Sequence, residues 1–196
     1  MRIVLIGSRY FGLEIFKMLR AESIDIVKVI VPQAPDRLQE AAVSADIVFE
    51  VQADPLKLPA SMIPDGVDLL ITAHSHARVA NDALAKARLG GIGYHPSLLP
   101  RHRGMAAIEW TVKEGDPIAG GSIYHLAERM DAGPIAMQDW CFVKKGEGAR
   151  ELWERALAPI GIDLMRKVVR YALQHGTIPA HPQDEQFATK APQLVK

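Results

Sequence analysis

A single cysteine, Cys141, stands in the 196 residues, so no internal disulfide can form and a reducing, cytoplasmic setting is expected. There is no surplus of charge either: 23 basic residues face 23 acidic ones. A chain that gripped nucleic-acid phosphates would carry a basic excess, so nucleic acid is not an expected partner. No apolar run approaches the roughly 20 residues a membrane-spanning helix requires, so no membrane partner is expected. The apolar stretch in the opening MRIVLIGSRYFG is too short and wrongly flanked for a secretory signal. Repeats, low-complexity tracts and dividing linkers are also missing, which leaves one domain expected over residues 1–196. Apolar residues at 48% and charged residues at 23% exclude a disordered or collagen-like chain.

What remains is an alternation of strand and helix patterns. Arg2–Gly7, Ile26–Val31, a weaker Ala45–Val51, Val67–Ala73 and Gly91–Tyr94 read as short, buried, β-branched strands. Phe11, Ile15, Met18 and Leu19 share one face of a helix ending near Ala21, with Ser8 placed to cap it, and a second helix is expected over Ala77–Arg88. Residues 52–66 hold Pro55, Pro59 and Pro64 and read as loop. Strands alternating with helices imply right-handed crossovers and a parallel sheet. After that the pattern changes. Ile118–Ala127 and Ile135–Val143 are strands without a helix between them, which points to an antiparallel extension, and Gly148–Gln174 reads as one long helix. The expected class is α/β with a mostly parallel, Rossmann-like sheet.

The first turn, Gly7–Gly12, lacks the glycine that lets a backbone approach a pyrophosphate, because Arg9 stands there; a nicotinamide site is therefore rejected. His74 and His76 alternate like a metal pair but have no clear third ligand, so no metal is expected. The most informative segment is Gly93-Tyr94-His95-Pro96-Ser97-Leu98-Leu99-Pro100-Arg101-His102-Arg103-Gly104. It leaves the carboxyl end of a parallel strand, where open α/β sheets place ligands. His95, held between strand and proline, suits general acid/base work because its ordinary pKa is near neutral. A second cluster, Glu128–Pro134, carries Asp131 beside glycine and proline; that is a turn by composition, and a partner for His95 only if the fold joins them.

The S-L-L-P-R-x-R-G stretch, the Met130-Asp131-Ala132-Gly133-Pro134 stretch and the closing Pro182-Gln183-Asp184-Glu185 together resemble the formyltransferase family that uses 10-formyltetrahydrofolate. The wording is most similar to the N-terminal hydrolase branch found in 10-formyltetrahydrofolate dehydrogenase, and it also resembles the catalytic domain of methionyl-tRNA formyltransferase. The resemblance implies a folate as formyl donor, His95 and Asp131 as catalytic residues, and no metal. It also implies that the pterin ring lies beside Thr72, Ala73, His74, His76 and Arg78 and the loop before Asp131. Gly93, Tyr94, Ser97, Leu99 and Met130 join those as substrate-binding candidates. Arg101 and Arg103 are candidates for holding carboxylates of a glutamate tail or an anionic acceptor. The family's asparagine should stand two residues before the histidine, where this chain has Gly93. That leans the expected reaction towards water as acceptor, with a small amine as the alternative. A non-catalytic folate-binding protein and a stand-alone methionyl-tRNA formyltransferase-like enzyme are the competing readings. No C-terminal barrel is expected, and a homo-oligomer stays open.

Overall fold

The aliphatic run Ile3–Ile6 fills the first strand, β1 (Arg2–Gly7), and is fully buried, as a strand covered on both faces requires. The computed structural model describes residues 1–194, and the chain divides into two units, Met1–Gly93 and the residues from Tyr94 onward. In the first unit β1 is followed by α1 (Arg9–Ala21), β2 (Asp25–Val31), α2 (Arg37–Ser44), β3 (Phe49–Val51) and β4 (Lys57–Leu58). Then come β5 (Leu69–Ala73), β6 (Arg78–Val79), α3 (Asn81–Ala85) and β7 (Gly91–His95), whose last two residues belong to the second unit. Five strands pair in the order β3-β2-β1-β5-β7, all parallel. This is the strand order of a Rossmann-like half, with Gly7 beside Ala73 and Thr72 beside Gly93.

Local chemistry explains the helix starts. Ser8 precedes α1 but does not cap it: its hydroxyl donates to His74 O at 2.8 Å. The start of α1 is instead served by Asp36, whose carboxylate accepts from Arg9 N at 3.0 Å and from Leu38 N at 2.8 Å, so one side chain tends two helices.

The expected helix over Ala77–Arg88 is not formed as such. Arg78 and Val79 pair in parallel with Lys57 and Leu58, and only Asn81–Ala85 is helical. The competing partner lies far back in the sequence, in the segment expected to be loop, where periodicity has no sight of it. The weak strand over Ala45–Val51 shrinks to Phe49–Val51, because α2 runs to Ser44 and Ala45 closes it.

In the second unit α4 (Ala107–Glu114) ends at Gly115, which takes the left-handed φ of +69° that a glycine tolerates. The strands β8 (Ile118–His125) and β9 (Ile135–Phe142) are antiparallel, with Gly121 opposite Asp139. The C-terminal helix is divided into α5 (Ala149–Leu152), a π-helical turn over Trp153–Leu157, and α6 (Ala158–His175). Pro159 has no N–H to give a carbonyl one turn earlier, and the hydrogen-bond register widens just before it. Leu152, Ala156 and Leu157 pack with Ala119 of β8 against Ile108, Trp153 and Ile160. The fold is thus α/β with mostly parallel strands, an antiparallel pair and a long C-terminal helix. Among the described residues no helix is long and apolar enough to cross a membrane.

Candidate active site

The second unit brings His95 and Asp131 together. His95 Nδ1 lies 3.6 Å from Asp131 Oδ2, and both side chains are more than nine-tenths buried. The other ring nitrogen, Nε2, is 2.8 Å from His102 O. A carbonyl only accepts, so Nε2 carries a proton and Nδ1 is the nitrogen left to exchange one. Asp131 is equally fixed. Its Oδ2 accepts from Gly104 N at 2.9 Å and its Oδ1 from the Tyr124 hydroxyl at 2.8 Å. Burial first, and then the Asp131 charge that its proton faces, push the Tyr124 pKa well above its ordinary 10, so the phenol stays a donor at any physiological pH.

Two residues here pay conformational strain. Asp131 and His102 have φ of +54° and +55°, a region a β-carbon disfavours. Strain of this kind gathers where surroundings over-determine a site. The loop between His95 and His102 is braced: Ser97 Oγ donates to Arg101 O at 2.6 Å, and Ser122 Oγ donates to Ser97 O at 2.6 Å while accepting from Leu99 N at 3.1 Å. Gln138 Nε2 adds bonds to Ser122 Oγ at 2.7 Å and to Leu99 O at 3.0 Å. Ser97 and Leu99, expected against substrate, are buried parts of this brace.

Tyr94 also has a structural position. Its hydroxyl donates to Leu157 O at 2.6 Å, and burial raises its pKa. A β-carbon added at Gly161 would stand 2.6 Å from the Tyr94 ring, so that glycine makes room for it. The two arginines are likewise occupied. Arg101 reaches Glu114 Oε2 at 2.9 Å and Asp116 Oδ2 at 3.2 Å; Arg103 grips Gln183 Oε1 at 2.6 Å and Glu185 Oε1 at 2.9 Å. At Arg103 an anion would have to displace these partners, since Nε, Nη1 and Nη2 are all engaged, whereas Arg101 commits only Nη2 to its carboxylates and keeps a partly exposed guanidinium. The neighbouring arginine's hydrogen bond holds the Glu185 pKa low; for Asp116, burial works upward but bonds from His102 and Arg101 outweigh it.

His102, Glu114 and Asp116 form the one group of three metal-type ligands among the described residues. The position they surround is taken by Arg101 Nη2, 2.9 Å from Glu114 and 3.5 Å from His102 Nε2, so the cluster is an ion-pair network. Met130, just before Asp131, is exposed.

In the first unit, Thr72 and Ala73 are the last residues of β5, and Thr72 stands opposite the buried Gly93 of β7. Thr72 Oγ1 donates to Ile92 O at 3.4 Å, and Ala73 O accepts from Ser8 N at 3.2 Å. His74 follows at a left-handed φ of +57°, with its ring 5.8 Å from that of His76. His76 and Arg78 point to solvent. Tyr124, Gly104 and Gln183 escaped notice as site residues: each acts through contacts made only in the folded chain, and no spacing announces them.

The sequence profile of the formyl transferase family matches residues 1–168, and the chain belongs to that family. It is 33% identical to the mitochondrial 10-formyltetrahydrofolate dehydrogenase of Mus musculus over 96% of this chain and 22% of that protein. Against the methionyl-tRNA formyltransferase of Rhodopirellula baltica it is 31% identical over all of this chain and 64% of the relative. The chain thus spans about a fifth of the first relative's length and under two thirds of the second's. Among solved structures, the phosphoribosylglycinamide formyltransferase of Anaplasma phagocytophilum superposes with a TM-score of 0.78 at 28% identity, covering 99% of each chain.

Proposed function

We propose that this protein takes the formyl group from 10-formyltetrahydrofolate and passes it to water, or to a small amine, through His95 and Asp131. The observation that carries the reading is the buried pair itself: one imidazole nitrogen fixed as a donor, the other facing a carboxylate across 3.6 Å. A water or amine lying between Nδ1 and Oδ2 donates a hydrogen bond to each. Its lone pair attacks the formyl carbon while its proton passes to Nδ1. Asp131 stabilises the imidazolium so formed. The tetrahedral adduct then collapses: the bond from carbon to the folate nitrogen breaks, and His95 returns the proton to that nitrogen. With water the products are formate and tetrahydrofolate.

In the first unit the folate is assigned to the ends of β5 and β7, with Thr72, Ala73, His74, His76, Arg78 and Gly93 as candidate contacts. The resemblance supports this, as does the switch-point rule for open sheets. No metal is invoked. Residues 1–196 are read as one catalytic domain. Gly93 carries the second reading. It offers no side-chain donor where the family has an asparagine, and one lost oxyanion donor costs about 3 kcal/mol, so a folate-binding protein without turnover is the rival. Incubation of pure protein with 10-formyltetrahydrofolate, with and without an added amine, separates them. Formate and tetrahydrofolate released together without amine support hydrolysis. Formylated amine supports transfer. Tight folate binding with neither product supports the rival.

A further inference from the structure

The tail from 181 to 192 runs back along the second unit. Ile135 and His181 exchange backbone hydrogen bonds, Thr189 Oγ1 accepts from His102 N at 2.8 Å, and Ala191 N donates to Arg103 O at 2.7 Å. One side chain in this strap reaches the turn that bears Asp131. Gln183 Nε2 donates to Asp131 O at 2.9 Å and to Gly133 O at 2.7 Å, while its Oε1 accepts from Arg103 Nε at 3.1 Å and Nη2 at 2.6 Å. The two N–H groups and two lone pairs of the amide are all used.

What those bonds connect is the two sides of the proposed catalytic pair. Arg103 sits between His102, whose carbonyl accepts from His95 Nε2, and Gly104, whose N–H orients Asp131 Oδ2. The Asp131–Gly133 turn holds a left-handed residue at Asp131, and a β-carbon at Gly133 would lie 1.8 Å from His125 O. Such a turn needs its carbonyls pinned. Gln183 pins two of them and, through Arg103, ties them to the segment that aims His95.

We infer that Gln183 is a positioning residue, which sets the separation of His95 Nδ1 and Asp131 Oδ2 without touching the reacting atoms. The inference rests on the reading above that these two residues carry the chemistry.

Three variants test it. Gln183→Leu removes the whole amide. Gln183→Glu keeps an acceptor for Arg103 but has no N–H for the two carbonyls. Trp110→Phe cuts a different tether of the same strap, the indole bond to Pro192 O at 2.8 Å. Two readouts are taken: kcat and KM for release of formyl from 10-formyltetrahydrofolate, and exchange of the Gly104 amide in the free protein. Both Gln183 variants should lower kcat about 10-fold, because small misplacements of reacting groups are costly, and leave KM within about 2-fold. The Gly104 amide, released from Asp131, should exchange about 10-fold faster in both, while Trp110→Phe changes neither readout. Wild-type kcat and exchange in Gln183→Glu would overturn the inference, whatever Gln183→Leu does, because the Arg103 link alone would then suffice. Equal losses in Trp110→Phe would overturn it too, by showing that the strap only supports the fold. If the wild type transfers no formyl group, the reading of the pair fails, and the Gly104 exchange still decides whether Gln183 holds Asp131.

Discussion

The two units use their interiors differently. In the first, the buried strands are almost wholly aliphatic, from Ile3–Ile6 through Val29–Val31 to Leu69–Ile71, and Asp36 is the one ionisable group among the buried polar residues described there. In the second, His95, His102, Asp131 and Glu147 are all buried, alongside Ser97, Thr111 and Ser122. A parallel strand covered on both faces has room only for apolar side chains, so the first unit stores stability and leaves its polar groups at strand ends. The second unit buries charge only where each group finds partners, and those partners fix directions. Precision of orientation is what acid/base chemistry requires.

Four expected outcomes would sharpen or break that contrast. The largest concerns rate. His95→Ala and Asp131→Asn should each cut formyl release by about 10²–10⁴-fold with the fold retained, as loss of an acid/base group does. Near-wild-type turnover in either variant would remove it from the chemistry. Next is a loss of stability from the aliphatic side. Leu70→Ala, fully buried in β5, should cost about 2–5 kcal/mol in denaturant unfolding while the folded fraction keeps its kcat. A fall in kcat of the folded protein would show that the aliphatic interior of β5 bears on the chemistry.

A smaller effect depends on pH. A hydrogen bond from Arg155, with Nη2 2.7 Å from Glu147 Oε2, draws the Glu147 pKa from 4.5 down to about 2. Because the folded value lies below the ordinary one, the pair stabilises the protein above pH 4.5 and loses that contribution as pH falls towards 2. Arg155→Met should therefore flatten the decline of Tm across that interval, and an unchanged slope would deny the pair its part in acid stability. The smallest effect is expected at Arg101. Its exposed guanidinium is engaged with Glu114 and Asp116, so Arg101→Ala should change stability by about 0–1 kcal/mol and KM by less than about 2-fold. A large rise in KM would restore its role in holding an anionic substrate.

The legibility of the sequence followed burial rather than the division into units. Continuous aliphatic runs declared β1, β2 and β5 nearly to the residue, since burial on both faces leaves its mark on every position. The eight-residue helices α2 and α4 were missed because each buries only two residues, too few to set up a period. The segment 77–88 looked helical by its own pattern, and its pairing with Lys57 and Leu58 could be seen only once the chain had folded.

The sequence by itself determined the α/β class, the family and the identity of the two residues most worth testing, because strand burial and motif wording are properties of neighbouring positions. Tertiary structure alone decided that His95 Nδ1 stands 3.6 Å from Asp131 Oδ2 and that Tyr94 and Leu99 serve packing. It also decided that Arg101 and Arg103 are engaged within the chain and that Gln183 reaches the Asp131 turn. Each of those facts is a contact between segments far apart in sequence, made when packing brings a donor within about 3 Å of an acceptor, and no local periodicity encodes such a meeting.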